Sequence, residues 1–169
     1  MKADELRSLQ APLKEKYKND PESAVVTLKA QGKIGEGITC SVDTGKALVE
    51  AGLHPATGGS GTAACSGDML LEALAACAGV TLNAVATAIG VDVRSGNVFA
   101  EGDLDFRGTL AVSKEAPVGF REIRLRFELD TDANEEEIST LIKLTERYCV
   151  VFQSLNAPPK LTVTHSTNS

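Results

Sequence analysis

The sequence lacks tryptophan, and aromatic residues make up only 4% of its 169 positions. A core built from this composition must be aliphatic and rich in alanine. Histidine is also scarce, since only His54 and His165 occur, and the four cysteines form no CxxC pair. Protein zinc sites usually use closely spaced cysteines and histidines, so we expect no metal centre.

Basic residues are in deficit, because 17 Lys and Arg face 23 Asp and Glu and give a formal net charge of -6. Nucleic-acid backbones are bound by clustered Lys and Arg, so we expect no nucleic-acid partner. The first ten residues lack the layout of a secretory signal, which predicts a cytoplasmic protein. The apolar run 70–89 contains Glu72, Asn83 and many alanines, so it fits a buried helix better than a membrane span, and no membrane partner is expected.

The pattern of the chain predicts one α+β domain over residues 1–169, because helical and strand segments do not alternate strictly. Residues 1–20 have the apolar spacing of an N-terminal helical extension, interrupted at Pro12. Residues 22–90 are predicted to form strands and a central helix. Residues 98–166 are predicted to add strands, a second helix and a final strand.

The first half of the chain is rich in β-branched residues. They predict a hairpin of strands at residues 23–30 and 37–44, separated by the glycine-containing segment 31–37. A third strand is predicted at residues 46–52. Glycines then mark residues 54–68 as a loop in which the backbone turns sharply or approaches another group closely.

The central helix is predicted from Leu70 to Ile89 and has apolar residues on nearly every face. We therefore expect other elements to cover it on all sides. Ser66 is the candidate N-cap, and the charge of Asp68 complements the positive end of the helix dipole. Gly90 is expected to end the helix.

The second half of the chain predicts strands at residues 97–112 and 120–132, the latter with clean period-two alternation. A second helix over residues 132–156 begins with acidic residues, which favour a helix N-terminus. A final strand is predicted at residues 160–166. The inward side of the second helix contains Ile138, Leu141, Ile142, Thr145, Tyr148, Cys149 and Phe152.

Cys77 and Cys149 lie on the inward faces of the two long helices. Each is either an inert core thiol, as buried free cysteines often are, or half of a pair that the two helices bring together. Cys65, in the loop before a helix N-terminus, is either a reactive thiol or a residue without chemistry. Cys40 is interpreted as a packing residue and His54 as a loop residue.

Two carboxylates accompany Cys77 in and near the predicted helix. Glu72 is either buried with a partner or exposed at an edge of the helix. Asp68 is either a dipole-complementing acid or, like Glu72, a group that orients a cation beside a thiolate. The GGSG segment is a weak match to a phosphate-binding loop, because no Lys-Ser/Thr follows it.

Two segments resemble the OsmC/Ohr family of thiol-dependent hydroperoxide reductases. CSGDMLLEALAACAGVTL is similar to the family's acid-plus-apolar helix start ending in Ala-Ala-Cys, and ERYCVVFQSL to its second motif, usually Cys-Pro-Val. The resemblance extends over most of the chain. It implies an α+β, OsmC-like fold with two long core helices enclosed by antiparallel sheets, in an intertwined homodimer with paired thiols near the subunit interface.

By this resemblance Cys77 is the thiol that attacks the peroxide, Cys149 is the resolving thiol, and Asp68 is the family's acid near the helix start. The chain departs from the family at Val150, where a proline is usual, and this change would let the second helix run on and alter the exposure of Cys149.

A second departure is the family's thiolate-stabilising arginine, which comes from the early strand region. The segment 22–53 of this chain contains lysines at positions 29, 33 and 46 and no arginine. Either a lysine or an arginine from elsewhere, such as Arg147, would have to replace it.

The activity implied by the resemblance is reduction of organic hydroperoxides to alcohols without a cofactor. Cys77 becomes a sulfenic acid, Cys149 condenses with it into a disulfide, and a dithiol reductant reopens the bond. The apolar surroundings of Cys77 favour bulky organic peroxides over hydrogen peroxide. The alternatives are a non-enzymatic binding module with the same fold and a thiol redox sensor.

Overall fold

The computed structural model describes residues 48–111 and 113–167, the backbone of segments 31–34 and 39–43, and a few single positions before them. The strand predicted at residues 23–30 lies outside the described residues. So does most of the helix predicted over residues 1–20, although its described positions 4, 5, 8, 11 and 19 are helical.

The described chain combines strands and helices without strict alternation, in an α+β arrangement with mainly antiparallel sheet, so the predicted α+β class is confirmed. Whether residues 1–169 form a single domain stays a prediction. The strands are β1 (Gln31–Ile34), β2 (Thr39–Asp43), β3 (Leu48–Gly52), β4 (Ala64–Cys65), β5 (Ser95–Leu104) and β6 (Phe120–Asp130). The helices are α1 (Ser66–Ile89), α2 (Phe106–Thr109), α3 (Glu135–Tyr148) and α4 (Val150–Asn156), with a short 3-10 helix at Pro55–Thr57.

The first sheet has the strand order β1-β2-β3-β4. The first three strands are antiparallel, and β4 adds in parallel with Cys65 opposite Gly52. β1 lies within the segment 31–37, which we predicted as a connection. Pairing in a hairpin extends to the residues beside the turn, here Ile34 opposite Cys40, so the glycine-containing segment supplies a strand.

The second sheet consists of β5 and β6, paired antiparallel with Val98 opposite Phe127. Half-buried apolar residues of β6 alternate with exposed charged ones, as the period-two pattern predicts. The charged residues form ion pairs across the outer face, for example Arg124 with Asp103 at 2.5 Å. These exposed pairs contribute little to stability, and the inner, apolar face holds the sheet against α1.

The strand predicted over residues 97–112 ends at Leu104, so the prediction was wrong for residues 105–111. Residues Phe106–Thr109 form the short helix α2 instead. The side chain of Asp105 accepts a hydrogen bond from the backbone N–H of Arg107 at 3.2 Å and caps this turn. A local side-chain cap thus outweighs the strand preference of the residues that follow.

Helix α1 begins at Ser66. Its N-cap residue is Cys65, which has an extended backbone and makes no side-chain capping bond, so the prediction of Ser66 as the N-cap was wrong by one residue. Asp68 lies in the first turn, as expected, and Gly90 ends the helix in the left-handed conformation, with φ of 79°. One face of α1 is buried against β5, α3 and α4. That face consists of Leu74, Ala78, Leu82, Val85 and Ala86.

The opposite face of α1 is not covered within a single chain, contrary to our expectation. Val80 is 72% exposed, and Ala73 and Ala76 are also exposed. By length and composition α1 is apolar enough to cross a membrane, but core helices of soluble proteins pass the same test. The apolar composition of α1 is therefore compatible with either a protein surface or a membrane against its exposed face.

The second predicted helix is interrupted at Cys149, which has φ −73° and ψ 110° and separates α3 from α4. The expectation that Val150 lets the helix run on was therefore wrong. Helix α3 begins with a capping box in which Asn134 and Glu137 exchange hydrogen bonds of 3.0 and 2.8 Å. Leu141 and Thr145 are buried as predicted, whereas Tyr148 is 58% exposed and does not belong to the inward face.

The final strand predicted at residues 160–166 is absent from the described fold, where this segment has no regular structure. Leu161 and Val163 are 84% and 93% exposed. Alternating β-branched residues suit a strand, but a strand forms only where a neighbouring strand pairs with it. Within this single chain no described strand pairs with residues 160–166.

Candidate active site: two thiols at a helix break

The break between α3 and α4 places Cys149 against the middle of α1. The N–H of Cys149 donates to the carbonyl of Thr145 at 2.9 Å, and its carbonyl accepts from the N–H of Gln153 at 2.9 Å. The helical hydrogen bonding therefore continues on both sides of the bend. Because Val150 and Val151 start a new helix, their N–H groups have no partner within it and are available to other acceptors.

Cys77 lies on the side of α1 that faces this break, packed against the apolar cluster that contains Cys149. Burial raises the pKa of the Cys77 thiol, but hydrogen bonds from the backbone of Val151, the Cys149 thiol, the backbone of Val150 and the Thr81 hydroxyl lower it. The hydrogen bonds prevail, so the pKa of Cys77 lies below its ordinary value. Neutral donors thus favour the thiolate at this position.

The environment of Cys149 has the opposite effect. Burial raises the pKa of this thiol, and the neighbouring Cys77 raises it further, against hydrogen bonds from the backbone of Phe152 and Val151. The residue is 0% exposed. Cys149 is therefore the member of the pair whose surroundings favour the protonated thiol.

The pair lies in an apolar cluster. Leu74 and Ala78 of α1 are buried with Cys149, and the inner face of the β5–β6 sheet packs against them. A cleft of about 320 Å³ opens beside this cluster. Five of its lining residues also pack around Cys149: Leu74, Ile123, Leu125, Phe152 and Leu155.

Neither cysteine is among the lining residues of this cleft, so cleft and pair are neighbours that share an apolar wall. The polar lining residues are Arg121, Glu122 and Asn156. The remaining lining is apolar and would favour a ligand with an apolar part.

None of the supporting residues predicted from the sequence, Asp68, Glu72 and Arg147, is among the main groups that shift the pKa of Cys77. Asp68 and Glu72 are exposed, which favours the edge position for Glu72 and the dipole-complementing position for Asp68. The guanidinium of Arg147 lies 5.6 Å from the ring centroid of Tyr148. Within the described part of the chain, no arginine or lysine is among the groups that shift the pKa of Cys77.

Three residues that the sequence analysis missed, Thr81, Val150 and Val151, are among the groups that lower the pKa of Cys77. Thr81 is four residues after Cys77, so helical spacing alone places the two side chains on one face, and this signal was available. Val150 and Val151 lower the pKa of Cys77 through their backbone N–H groups, which no side-chain pattern in the sequence predicts. Their role depends on the extended conformation of Cys149.

The remaining cysteines lie elsewhere. Cys65 is half-buried at the start of α1 and lines a separate cleft of about 400 Å³ together with His54 and Phe106. His54 stacks on Phe106 with ring centroids 4.9 Å apart, and its Nδ1 accepts a hydrogen bond from the N–H of Ala56. The side chain of Cys40 is outside the described residues. In the described ranges, no three His, Cys, Asp or Glu side chains are grouped to hold a metal ion.

Comparison with known proteins gives a family match over most of the chain. Residues 59–164 match the family described as OsmC-like protein. This range includes both Cys77 and Cys149. No curated protein sequence matches the chain.

Solved structures share the fold at low sequence identity. An OsmC-like protein from Mycoplasma pneumoniae is 19% identical with a TM-score of 0.67, covering 79% of this chain and 89% of that one. An organic hydroperoxide resistance protein from Elizabethkingia anophelis is 18% identical with a TM-score of 0.63, covering 79% and 91%. An organic hydroperoxide resistance protein OsmC from Legionella pneumophila is 18% identical with a TM-score of 0.62, covering 79% and 91%.

Proposed function

The chain belongs to the OsmC-like protein family, and on that premise we propose that it is a thiol peroxidase that reduces organic hydroperoxides to alcohols. The observation that carries the proposal is that Cys77 and Cys149 lie in one apolar cluster with pKa values shifted in opposite directions. A thiolate is the attacking form of cysteine, and a resolving thiol can stay protonated until its own attack. Cys77 is therefore the peroxide-attacking residue and Cys149 the resolving residue.

The reaction has three balanced steps. The Cys77 thiolate attacks the outer oxygen of the hydroperoxide, the O–O bond breaks, and the alkoxide takes a proton from solvent and leaves as the alcohol. Cys77 is now a sulfenic acid, and the Cys149 sulfur displaces its oxygen as water to form the Cys77–Cys149 disulfide. An external dithiol reductant then reduces this disulfide and becomes a disulfide itself.

The apolar surroundings of the thiol pair support an organic rather than an inorganic peroxide as substrate. Leu74, Ile123 and Phe152 belong to the thiol cluster and also line the neighbouring cleft, so they would gain from contact with the carbon chain of a hydroperoxide approaching Cys77, whereas hydrogen peroxide has no such chain. Two of the structures with this fold are named organic hydroperoxide resistance proteins, which agrees with this substrate class. The reaction needs only thiol chemistry and a dithiol, so we place it in the reducing cytoplasm.

The same proposal includes a homodimer that covers the open face of α1. Val80 is 72% exposed in the single chain, and the exposed alternating segment that contains Leu161 and Val163 is available to pair with a second copy. Light scattering on the purified protein should give twice the chain mass of 17.7 kDa. Val80→Asp should shift it towards monomer, whereas Ser139→Asp on the exposed side of α3 should not. A monomeric wild-type protein would contradict the dimer.

The test of the activity is consumption of cumene hydroperoxide in the presence of a dithiol. The wild-type protein should turn over, Cys77→Ser should abolish turnover, and Cys149→Ser should stop after one equivalent and accumulate a sulfenic acid at Cys77 that dimedone traps. Cys65→Ser is the matched control and should retain wild-type activity. If the wild-type protein consumes no hydroperoxide, or if Cys77→Ser consumes it at the wild-type rate, the proposal of a Cys77-dependent peroxidase is rejected.

The alternatives give distinct results in the same assay. A redox sensor would show stoichiometric disulfide formation without turnover, together with a partner that binds one redox form. A binding module would show neither oxidation nor turnover, although a peroxide-sized ligand would still occupy the cleft.

A further inference from the structure

We infer that the ring of Phe120 limits the length of the organic hydroperoxide that reacts at Cys77, because it closes the far end of the cleft beside the thiol cluster. The inference rests on the proposed function, in which an organic hydroperoxide is the substrate. It makes Phe120 a specificity-determining residue for that reaction.

A β-bulge turns Phe120 towards the inside of the sheet. The half-buried residues of β6 otherwise stand at odd positions, namely 123, 125, 127 and 129, so uninterrupted alternation would direct Phe120 outwards. Asp103 of β5 pairs with Glu122. The next residue, Leu104, pairs with Phe120, so Arg121 is the extra residue of a bulge. This shift places Phe120 on the inner face, beside Leu104.

The ring of Phe120 spans the gap between the sheet and the central helix. A β-carbon on Gly102 of β5 would lie 2.6 Å from two of its carbons, so the ring lies directly against the strand backbone. A β-carbon on Gly67, in the first turn of α1, would lie 3.5 Å from the ring Cζ, so the tip of the ring reaches the helix. Two glycines therefore leave the space that the ring fills between β5 and α1.

The ring stands between two apolar clefts. One is the cleft of about 320 Å³ beside the thiol cluster, and the other is the cleft of about 400 Å³ that Cys65 lines. Phe120 lines both, and no other residue in the described part of the chain does. Leu53, Leu70 and Leu104 contribute to the lining of the second cleft. Removing the ring would therefore join two spaces that both suit a hydrocarbon chain.

Phe120 lies at the end of the first cleft that is remote from the thiols. Leu125 lines the same cleft and packs around Cys149, whereas Phe120 is not part of that cluster. The two residues are about 15 Å apart along β6, from the rise of a strand. In the proposed reaction the chain of a hydroperoxide at Cys77 extends along this cleft. A short chain ends before the ring, and a longer one meets it.

The first experiment compares n-butyl and n-dodecyl hydroperoxide, which differ only in chain length, with a dithiol as reductant. Phe120→Ala should leave kcat/KM for the butyl compound within about twofold of the wild type. It should raise kcat/KM for the dodecyl compound about tenfold, mainly through a lower KM, because each further methylene that is buried strengthens binding about fourfold. An unchanged ratio of the two values in the folded variant would overturn the inference.

Two further variants control this comparison. Leu104→Ala enlarges the second cleft but keeps the ring, so its dodecyl-to-butyl ratio should stay within about twofold of the wild type. If Phe120→Ala does not fold, Phe120→Leu shortens the side chain while keeping it apolar and should raise the same ratio. A folded Phe120→Leu variant with the wild-type ratio would then overturn the inference.

A binding experiment separates this inference from the proposed function. Isothermal titration of the reduced protein with n-alcohols of increasing length, the products of the reaction, requires no turnover. The affinity should stop rising at a shorter chain in the wild type than in Phe120→Ala. That difference without hydroperoxide turnover by the wild type would retain the limiting role of Phe120 and reject the peroxidase. Normal turnover with an equal length limit in both proteins would retain the peroxidase and reject the role of Phe120.

Discussion

Cys77 and Cys149 lie in the same apolar cluster, although one belongs to the middle of α1 and the other to the break between α3 and α4. Burial raises the pKa of both thiols, but the hydrogen-bond donors around Cys77 outweigh burial there, so the pKa is lowered in Cys77 and raised in Cys149. The two neighbouring cysteines are thereby distinguished by the donors around them.

The two thiols should react with electrophiles in a fixed order. Cys77 has the lower pKa, so it has the larger thiolate fraction at neutral pH and should be alkylated first, whereas the fully buried Cys149 should follow only at higher pH or after unfolding. Peptide mapping after limited iodoacetamide treatment checks the order. Alkylation of Cys149 ahead of Cys77 in the folded protein would contradict the assignment of roles.

Peroxide reduction should fall as the pH is lowered through the Cys77 pKa. Because this pKa is lowered, the thiolate persists to more acidic pH than that of an ordinary cysteine, and below the midpoint the rate should drop about tenfold per pH unit. Second-order rate constants with cumene hydroperoxide across a pH series provide the measurement. A rate that already falls, on lowering the pH, at or above the ordinary thiol pKa would contradict a lowered Cys77 pKa.

Replacing Val150 by proline separates folding from reactivity. Proline suits the first position of a helix, and the extended Cys149 before it already has a backbone conformation that a following proline accepts. Val150→Pro should therefore fold with little loss of stability. It removes the N–H that helps to lower the pKa of Cys77, so alkylation near neutral pH should slow several-fold.

The control for this substitution is Val150→Ala, which keeps the N–H and should retain the wild-type pH profile. Circular dichroism and thermal melts check the fold of both variants. A Val150→Pro protein with an unchanged Cys77 midpoint would show that the Val150 amide contributes nothing to the thiolate.

The capping box of α3 should be worth about 1 kcal/mol of unfolding free energy. Asn134→Ala removes the oxygen that accepts the N–H of Glu137 at 3.0 Å, whereas Asn134→Asp keeps an acceptor there. Urea denaturation should show the loss in the alanine variant and near-wild-type stability in the aspartate variant. Equal stability of the two variants would contradict the role of this cap.

A side chain at Gly102 should fit only if its neighbours move. A β-carbon there would lie 2.6 Å from two ring carbons of Phe120, which lines the cleft beside the thiol cluster. Gly102→Ala should cost about 1–3 kcal/mol and raise the KM for a bulky hydroperoxide, because the ring must move. Gly119→Ala is the control, since its β-carbon would meet nothing within 4 Å. Similar stabilities for the two variants would refute the packing argument.

Much of the fold could be predicted because it is encoded locally. The apolar periodicity of α1, the glycine that ends it, the alternation of β6 and the acidic start of α3 depend on residues within a few positions of one another. The predictions that failed involve competition between local and distant groups. Asp105 caps a turn where a strand was expected, and residues 160–166 have strand composition but no strand to pair with in the single chain.

The candidate site likewise has features that depend on local sequence and features that depend on tertiary packing. The sequence by itself determined that Cys77 and Cys149 lie on inward faces, and it contained the helical spacing of Thr81. Only the tertiary structure decided that the two cysteines share one apolar cluster and that Asp68 and Glu72 are exposed. It also decided that Val150 and Val151 present free amides to Cys77, because the backbone angles at Cys149 result from how α3 and α4 pack on α1 and the sheet, and no short-range pattern specifies that packing.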